Sequence, residues 1–239
     1  MTPTRSRIRS TAALYLLMGL PGAFNLKHLP TFVVRGDAAA TARNIADAGL
    51  AYRLTILSGV VGYLAFVYLA FSLYEMFKDV DRKQARLLVG LVLVMVTLGL
   101  VNQVNELAPL VLLNHAGSFA AFTKPQLDAL TLGFLQLRNE AFDIGMALWG
   151  LWLLPFGVLV WKSGWIPKTI GVLLILDGLA WIALCIAGLV FPAEYHVVDM
   201  IAMPFYTAGE LSMLGWLLVK SVTMPATAAQ AELRPAITV

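Results

Sequence analysis

Long apolar stretches constrain this chain more than any other feature of its sequence. Five runs of roughly 20 or more predominantly apolar residues follow one another, and a helix of that length crosses about 30 Å of hydrocarbon. A shorter run, Thr11–Leu26, contains Pro21-Gly22 and precedes them. We therefore predict an all-α polytopic membrane protein, a bundle of six transmembrane helices. The five longer spans are Leu54–Phe77, Leu87–Leu113, Phe134–Trp161, Thr169–Phe191 and Val198–Val219.

The composition excludes other classes of protein. Of the 239 residues, 59% are hydrophobic and only 13% are charged, whereas a soluble domain carries roughly 25% charged residues. A compact soluble enzyme would have too few charges to cover its surface, and a disordered chain would need far less apolar content. We expect residues 1–223 to form a single transmembrane domain and residues 224–239, rich in Ala, Thr and Pro, to form a disordered tail.

The distribution of basic residues predicts the orientation. With the N-terminus inside, eleven of the 17 lysines and arginines lie on the cytoplasmic side, as the positive-inside rule requires. Both termini are therefore predicted to be cytoplasmic, in the inner (plasma) membrane. The longest polar segment between spans is Arg35–Ala51, which falls outside, and its small residues favour a short helix at the interface.

Several kinds of chemistry are excluded by residue counts and spacing. The single cysteine, Cys185, permits neither an intrachain disulfide nor a thiolate metal cage. His28, His115 and His196 lack the local spacing of a zinc site. The basic residues are scattered rather than gathered on one face, which excludes a nucleic-acid partner. We predict no metal and no cofactor. The expected partners are membrane lipids and a lipophilic small molecule, and the sequence does not define the oligomeric state.

Polar residues within the spans are the most informative feature for function. An ionisable side chain at membrane depth costs roughly 2.5–3.5 kcal/mol, so each needs a partner, a cavity or a neutral form. Several share a helix face, such as Asn102 with Glu106, and Asn139 with Asp143. The candidate catalytic residues are Glu140, Asp143 and Glu106. The candidate ligand-binding residues are Asn102, Asn105, Arg138, Asn139, Asp177, Asp199, Tyr206, Glu210 and His196.

The topology groups most of these residues in the outer half of the membrane. The third span runs outward and the fourth runs inward, so their polar stripes lie at the same level. We therefore expect an outward-facing polar pocket among spans one, three, four and six. Asp177 and Glu210 lie nearer the bilayer centre, and their carboxyl groups are expected to be hydrogen-bonded to each other.

The same residues also admit a purely structural interpretation. Amide and carboxyl groups join membrane helices through hydrogen bonds, and Arg138 can neutralise Glu106 or Glu140. Three functions stay open: binding of a small lipophilic ligand, an isomerase or cyclase of isoprenoid-like lipids that uses paired carboxylates, and a small proton-coupled transporter. Since no internal repeat is visible, a single-chain transporter is less favoured.

Two segments resemble a known family. The first is GDAAATARNI at residues 36–45, followed by YRL at residues 52–54, and the second is SGWIPKTIGVLL at residues 163–174. With six spans over this length, they resemble a bacterial membrane family known as domain of unknown function 4386. The resemblance implies a bacterial inner-membrane protein and brings no activity, ligand or catalytic residue. In the second segment, Pro167 suits the first turn of a helix, which predicts a tight corner between spans four and five.

Overall fold

A computed structural model describes residues 3–114 and 116–224 of the chain. His115 and most of the predicted tail, residues 225–239, lie outside this described part. Within it the protein forms seven α-helices, together with two short 3-10 turns at Leu29–Phe32 and Ala116–Phe119. The helices are α1 (Arg5–His28), α2 (Ala38–Ala48), α3 (Leu50–Phe77), α4 (Arg82–Asn114), α5 (Lys124–Ser163), α6 (Lys168–Val190) and α7 (Tyr195–Thr223).

The all-α class is confirmed. The six predicted spans fall on helices α1 and α3 to α7, and α5 begins ten residues before its predicted span. Four of them, α3 to α6, are long and apolar enough to cross a membrane, which suggests a membrane protein. The count of six spans and the cytoplasmic position of both termini stay predictions. A helix meets the hydrogen-bonding needs of its own backbone, which hydrocarbon cannot do.

The predicted corner between spans four and five is present. Helix α5 ends at Ser163, and Gly164 follows with φ +73°, in the left-handed region that glycine adopts without strain. Helix α6 begins at Lys168, directly after Pro167. The fixed φ of proline and the freedom of glycine therefore turn the chain back within four residues.

Glycines bring α5 and α6 into close backbone contact. A Cβ added to Gly157 would lie 2.7 Å from the carbonyl oxygen of Gly171, and one added to Gly178 would lie 2.6 Å from that of Gly150. Along each helix the two glycines are seven residues apart, which returns them to the same face after two turns. Small residues at such positions let membrane helices pack closely.

Both ends of the described chain meet at one end of the bundle. Arg5 Nε and Arg9 Nε donate hydrogen bonds to the carbonyl oxygen of Ser221, at 3.0 and 2.9 Å. These arginines satisfy the last carbonyl groups of α7 and complement the negative end of its dipole. We call this end of the bundle the Arg5 end.

The opposite end is covered by α2, and we call it the α2 end. At about 1.5 Å per residue, α4 and α5 are about 50 and 60 Å long, which exceeds the roughly 30 Å of a hydrocarbon core. The predicted short helix is present as α2. Its N-terminus is capped by Asp37, whose side chain accepts a hydrogen bond from Ala40 N at 2.8 Å. Its buried Ile45 joins a small apolar cluster with Leu110 and Leu135.

An ion pair at the Arg5 end predicts a dependence of stability on pH. Lys162 Nζ donates to Asp81 Oδ2 at 2.8 Å, and Gln84 N donates to Asp81 Oδ1 at 3.1 Å. These two hydrogen bonds hold the pKa of Asp81 below its ordinary value. A lowered folded-state pKa stabilises the fold above the unfolded pKa, and this contribution is lost as the pH falls through the folded pKa.

We therefore expect acidification from pH 7 to below about 4 to lower the Tm less in Asp81→Asn than in the wild type. The measurement is thermal unfolding in detergent at several pH values. Asp79→Asn is the control, because Asp79 is exposed two residues away and makes no side-chain hydrogen bond within the described ranges. An equal acid-induced shift in the wild type and in Asp81→Asn would contradict the prediction.

Candidate functional site

A buried ion pair joins α4 to α5. Arg138 Nε donates to Glu106 Oε1 at 2.8 Å, and only 1% of the Glu106 surface is exposed. Asn25 of α1 completes the contact, since its Nδ2 donates to Glu106 Oε2 at 2.9 Å and its Oδ1 accepts from Arg138 Nη2 at 3.3 Å. Of the two partners considered for Arg138, the structure therefore selects Glu106 rather than Glu140.

Further hydrogen bonds extend this pair to α3. The Tyr52 hydroxyl donates to the backbone oxygen of Glu106 at 2.8 Å, and Asn25 Nδ2 also donates to the backbone oxygen of Thr55 at 3.0 Å. We call Asn25, Tyr52, Glu106 and Arg138 the ion-pair network. It links four helices near the α2 end, and both carboxylate oxygens of Glu106 are engaged within it.

A second polar cluster lies nearer the middle of the bundle. Glu210 Oε1 accepts from the Tyr15 hydroxyl at 3.2 Å, and Oε2 accepts from Trp149 Nε1 at 3.1 Å. Asp177 Oδ2 accepts from the backbone N–H of Glu210 at 3.1 Å. We call Tyr15, Trp149, Asp177 and Glu210 the central acidic cluster.

We predicted a hydrogen bond between the carboxyl groups of Asp177 and Glu210, and this prediction is wrong: the two carboxyl groups have other partners. Asp177 packs directly against Gly209, where any Cβ would collide with its carboxyl group. The missing side chain lets Asp177 reach the backbone of α7 instead of the Glu210 side chain. Asp177 is fully buried, and its Oδ1 has no hydrogen-bond partner among the residues that the structure describes.

A cavity of about 320 Å³ connects the two polar clusters. Arg138 and Asn25 line one end and Tyr15 and Glu210 the other. Because Arg138 and Trp149 are eleven residues apart on α5, the two ends are separated by about 16 Å. The wall between them combines leucines and glycines with five aromatic side chains, which are Tyr63, Phe66, Phe142, Trp149 and Trp181.

A second cavity, of about 360 Å³, shares part of this aromatic wall. Tyr63, Phe142, Trp149 and Trp181 border both spaces, and the second cavity extends towards Asn102 and Asn105 of α4. Asn102 Nδ2 donates to the backbone oxygen of Arg138 at 3.0 Å. The two cavities are therefore neighbours that share four aromatic side chains.

The first cavity reaches the apolar surface of the bundle between α1 and α7. Leu20 of α1 and Leu211 of α7 line it and are 67% and 60% exposed. The cavity is therefore accessible from the side of the bundle, through an opening bordered by apolar side chains.

The three candidate catalytic carboxylates are not brought into one network. Glu106 is buried in its ion pair, whereas Glu140 is exposed on α5. Asp143 is half-buried, and its Oδ2 lies 3.9 Å from the position of a Cβ on Gly188 of α6. No hydrogen bond joins any two of these carboxylates within the described part of the chain.

The candidate ligand-binding residues are distributed over several places. Arg138 and Glu210 line the first cavity, and Asn102 and Asn105 line the second. Asp177 is buried beside Glu210. Asn139 accepts from Arg138 Nη1 at 3.2 Å. The remaining three are not on either cavity wall: Asp199 accepts from the Tyr206 hydroxyl at 3.0 Å, and His196 is exposed.

The cavity differs from the expected polar pocket in two respects. Its walls are largely apolar, and α3 and α6, the second and fifth spans, contribute to them. The reason is the rotation of α5 about its own axis. Its buried face carries Leu135 and Arg138, and its exposed face carries Gln136, Asn139 and Glu140. The polar stripe therefore does not line the cavity.

Sequence reasoning missed Asn25, Tyr52, Tyr15, Trp149 and Trp181. Asn25 carried a usable signal, because it is an amide within two residues of the end of the first span. Tyr52 lies in the YRL segment that carries the family resemblance, but the resemblance assigns it no role. The other three aromatic residues carried no signal, since aromatic side chains occur throughout such helices and their spacing does not distinguish a cavity wall from packing.

Comparison with known families gives one match. The model of the family described as "Domain of unknown function (DUF4386)" matches residues 10–221. The match extends from α1 to α7 and confirms the resemblance carried by the two sequence segments. The comparisons with curated proteins and with solved structures found no match.

Proposed function

This chain belongs to the DUF4386 family, and from that premise we propose that it is an integral membrane protein that binds a small lipophilic or amphipathic ligand. One observation carries the proposal: a cavity of about 320 Å³ that opens between α1 and α7 among exposed leucines. Ligand sites are typically concave spaces of roughly 300–1,000 Å³ with mostly apolar walls and few polar groups.

The chemistry of the walls supports a ligand with an apolar body. Aromatic side chains from α3, α5 and α6 offer a surface for hydrocarbon, and the two charged residues, Arg138 and Glu210, lie at opposite ends. Such a ligand partitions into the bilayer and reaches the lateral opening without passing through water. The opening between α1 and α7 is the proposed route of entry.

We further propose the six-span topology, with both termini in the cytoplasm of a bacterial cell and the protein in its inner membrane. The Arg5 end then faces the cytoplasm, and α2 covers the outer end of the bundle. The excess of lysine and arginine at the Arg5 end supports this orientation. The ion-pair network would then lie near the outer surface of the membrane and the central acidic cluster near its middle.

The hydrogen bonds of Glu106 favour a binding function over a catalytic one. Both of its oxygens accept hydrogen bonds from Asn25 and Arg138, so the group has a structural partner for each. A general acid or base must lie within hydrogen-bond reach of its substrate, and Glu106 lines neither of the two cavities. The enzymatic and transporter alternatives have no comparable support from the geometry.

Filling the cavity is expected to remove a bound lipophile. Gly22 lines the cavity, and a Cβ built there meets no atom within 4 Å. Gly22→Leu should therefore occupy the ligand volume without displacing the backbone. The measurement is mass spectrometry of the small molecules that co-purify with the wild type and with the variant in detergent. A compound retained in fixed ratio by the wild type should be lost.

Gly19→Leu is a second variant of the same kind, since Gly19 also lines the cavity and has open space. Gly90→Leu is the control, because Gly90 is exposed on α4, away from the cavity, with equally open space. Equal retention of small molecules by all four proteins would overturn the proposed function. Comparable thermal unfolding of the variants establishes that they are folded.

A further inference from the structure

We propose that the ligand of the first cavity carries a positive charge, which lies beside Glu210 among aromatic rings. The inference rests on the proposed function and adds the chemical class of the ligand. That class is a lipophilic cation, such as a protonated amine or a quaternary ammonium or phosphonium group with an apolar body.

The charges around Glu210 are the first argument. Each of its two oxygens accepts a hydrogen bond, from Tyr15 and from Trp149, so the carboxyl group contacts donors at both oxygens. Within residues 3–114 and 116–224, no lysine, arginine or histidine nitrogen lies within 4 Å of the side-chain oxygens of Glu210 or Asp177. A carboxyl group in apolar surroundings is either neutral or paired with an opposite charge, and a bound cation would supply that charge and stabilise the carboxylate form.

The opposite end of the cavity argues against an anionic ligand. Arg138 is the cationic residue on the cavity wall, but Glu106 lies 2.8 Å away and compensates its charge. Asn25 and Asn139 accept two more of its N–H groups. Among the residues that the structure describes, Glu210 is therefore the ionisable group on this wall without a partner of opposite charge, and its charged form is negative.

The aromatic wall beside Glu210 is the second argument. The rings of Phe66 and Trp149 have centroids 5.5 Å apart, and those of Trp149 and Trp181 are 6.4 Å apart. All three rings border the cavity. The electron-rich face of an aromatic ring attracts a cation within about 6 Å, and Trp is the most favourable partner. An aromatic wall next to a carboxylate is therefore suited to a positively charged group.

Two probe ions of similar shape and opposite charge test this inference. Tetraphenylphosphonium is a lipophilic cation and tetraphenylborate is its anionic counterpart. Binding of each to the purified full-length protein in detergent is measured by equilibrium dialysis with quantification by mass spectrometry. We expect Glu210→Gln, which removes the charge and keeps a hydrogen-bond acceptor, to weaken phosphonium binding by at least about tenfold. Borate binding should not weaken.

Glu194→Gln is the matched control, because Glu194 is exposed at the start of the same helix. It should leave phosphonium binding unchanged. Equal effects of Glu210→Gln on the two probes, or no effect on either, would overturn the cation assignment.

The cavity-filling variant separates this outcome from failure of the proposed function. If Gly22→Leu weakens binding of both probes while Glu210→Gln does not discriminate between them, the cavity binds lipophiles without regard to charge. If Gly22→Leu changes neither the binding of the two probes nor the set of co-purifying compounds, the proposed function fails as well. If Glu210→Gln weakens binding of the phosphonium alone and Gly22→Leu weakens binding of both probes, the results support the cation assignment and the proposed function.

Discussion

Replacement of Arg138 by methionine is expected to lower the free energy of unfolding by about 3–5 kcal/mol, the range measured when one partner of a buried ion pair is removed. The reason is that Glu106, 1% exposed, would keep its charge without a counter-ion. Asn25 alone would then contact the carboxylate. The measurement is unfolding in mixed micelles with increasing sodium dodecyl sulfate, followed by helix content.

A double variant and a surface control make this prediction specific. Arg138→Met combined with Glu106→Gln removes both charges, and it should be less destabilised than Arg138→Met alone. Lys78→Met breaks an ion pair with Glu75 in which the two side chains are 33% and 43% exposed, and it should cost no more than about 1 kcal/mol. Equal losses in Arg138→Met and Lys78→Met would contradict a structural role for the buried pair.

Replacement of Gly178 by valine is expected to have the second large effect. It should lower the free energy of unfolding by about 3 kcal/mol or prevent the protein from folding. A Cβ at this position would lie 2.6 Å from the carbonyl oxygen of Gly150 and 3.2 Å from Leu153 Cβ. Because the first contact is with backbone, rotation of a side chain cannot relieve it. Helices α5 and α6 would have to separate along their whole contact.

The comparison for this variant is Gly133→Val on α5, where the added side chain meets open space. It should unfold like the wild type in the same micelle titration. If Gly178→Val is as stable as Gly133→Val, the close approach of α5 and α6 is not needed for the fold. A second variant, Gly171→Ala, tests the other glycine pair, since its Cβ would lie 2.8 Å from the carbonyl oxygen of Gly157.

The ion-pair network shows how far the sequence alone could lead. The cost of burying Arg138 predicted that it needs a partner, and Glu106 was one of two candidates. Helical spacing could not choose between them, because Glu106 lies on another helix and Glu140 lies on the same one. Asn25 and Tyr52 come from two further helices, so their part in the network depends on how four helices pack.

The central acidic cluster shows a different limit. Asp177 and Glu210 were recognised as unusual because carboxyl groups are rare deep within a span. Their hydrogen bonds were predicted incorrectly, because the outcome depends on Gly209, a residue without a side chain to signal its role. The Trp149 contact to Glu210 was equally invisible in the sequence.

The sequence by itself determined the helical class, the positions of the helices, the corner at Gly164–Pro167 and the membership of the family. Backbone groups in hydrocarbon must be paired within a helix, so apolar length alone predicts a span. Only the tertiary structure decided which face of each helix packs against the other helices. In hydrocarbon a helix can be apolar on the side that packs and on the side that meets lipid, so the pattern does not distinguish them. The cavity, its aromatic wall and the pairing of Arg138 with Glu106 follow from that choice of faces.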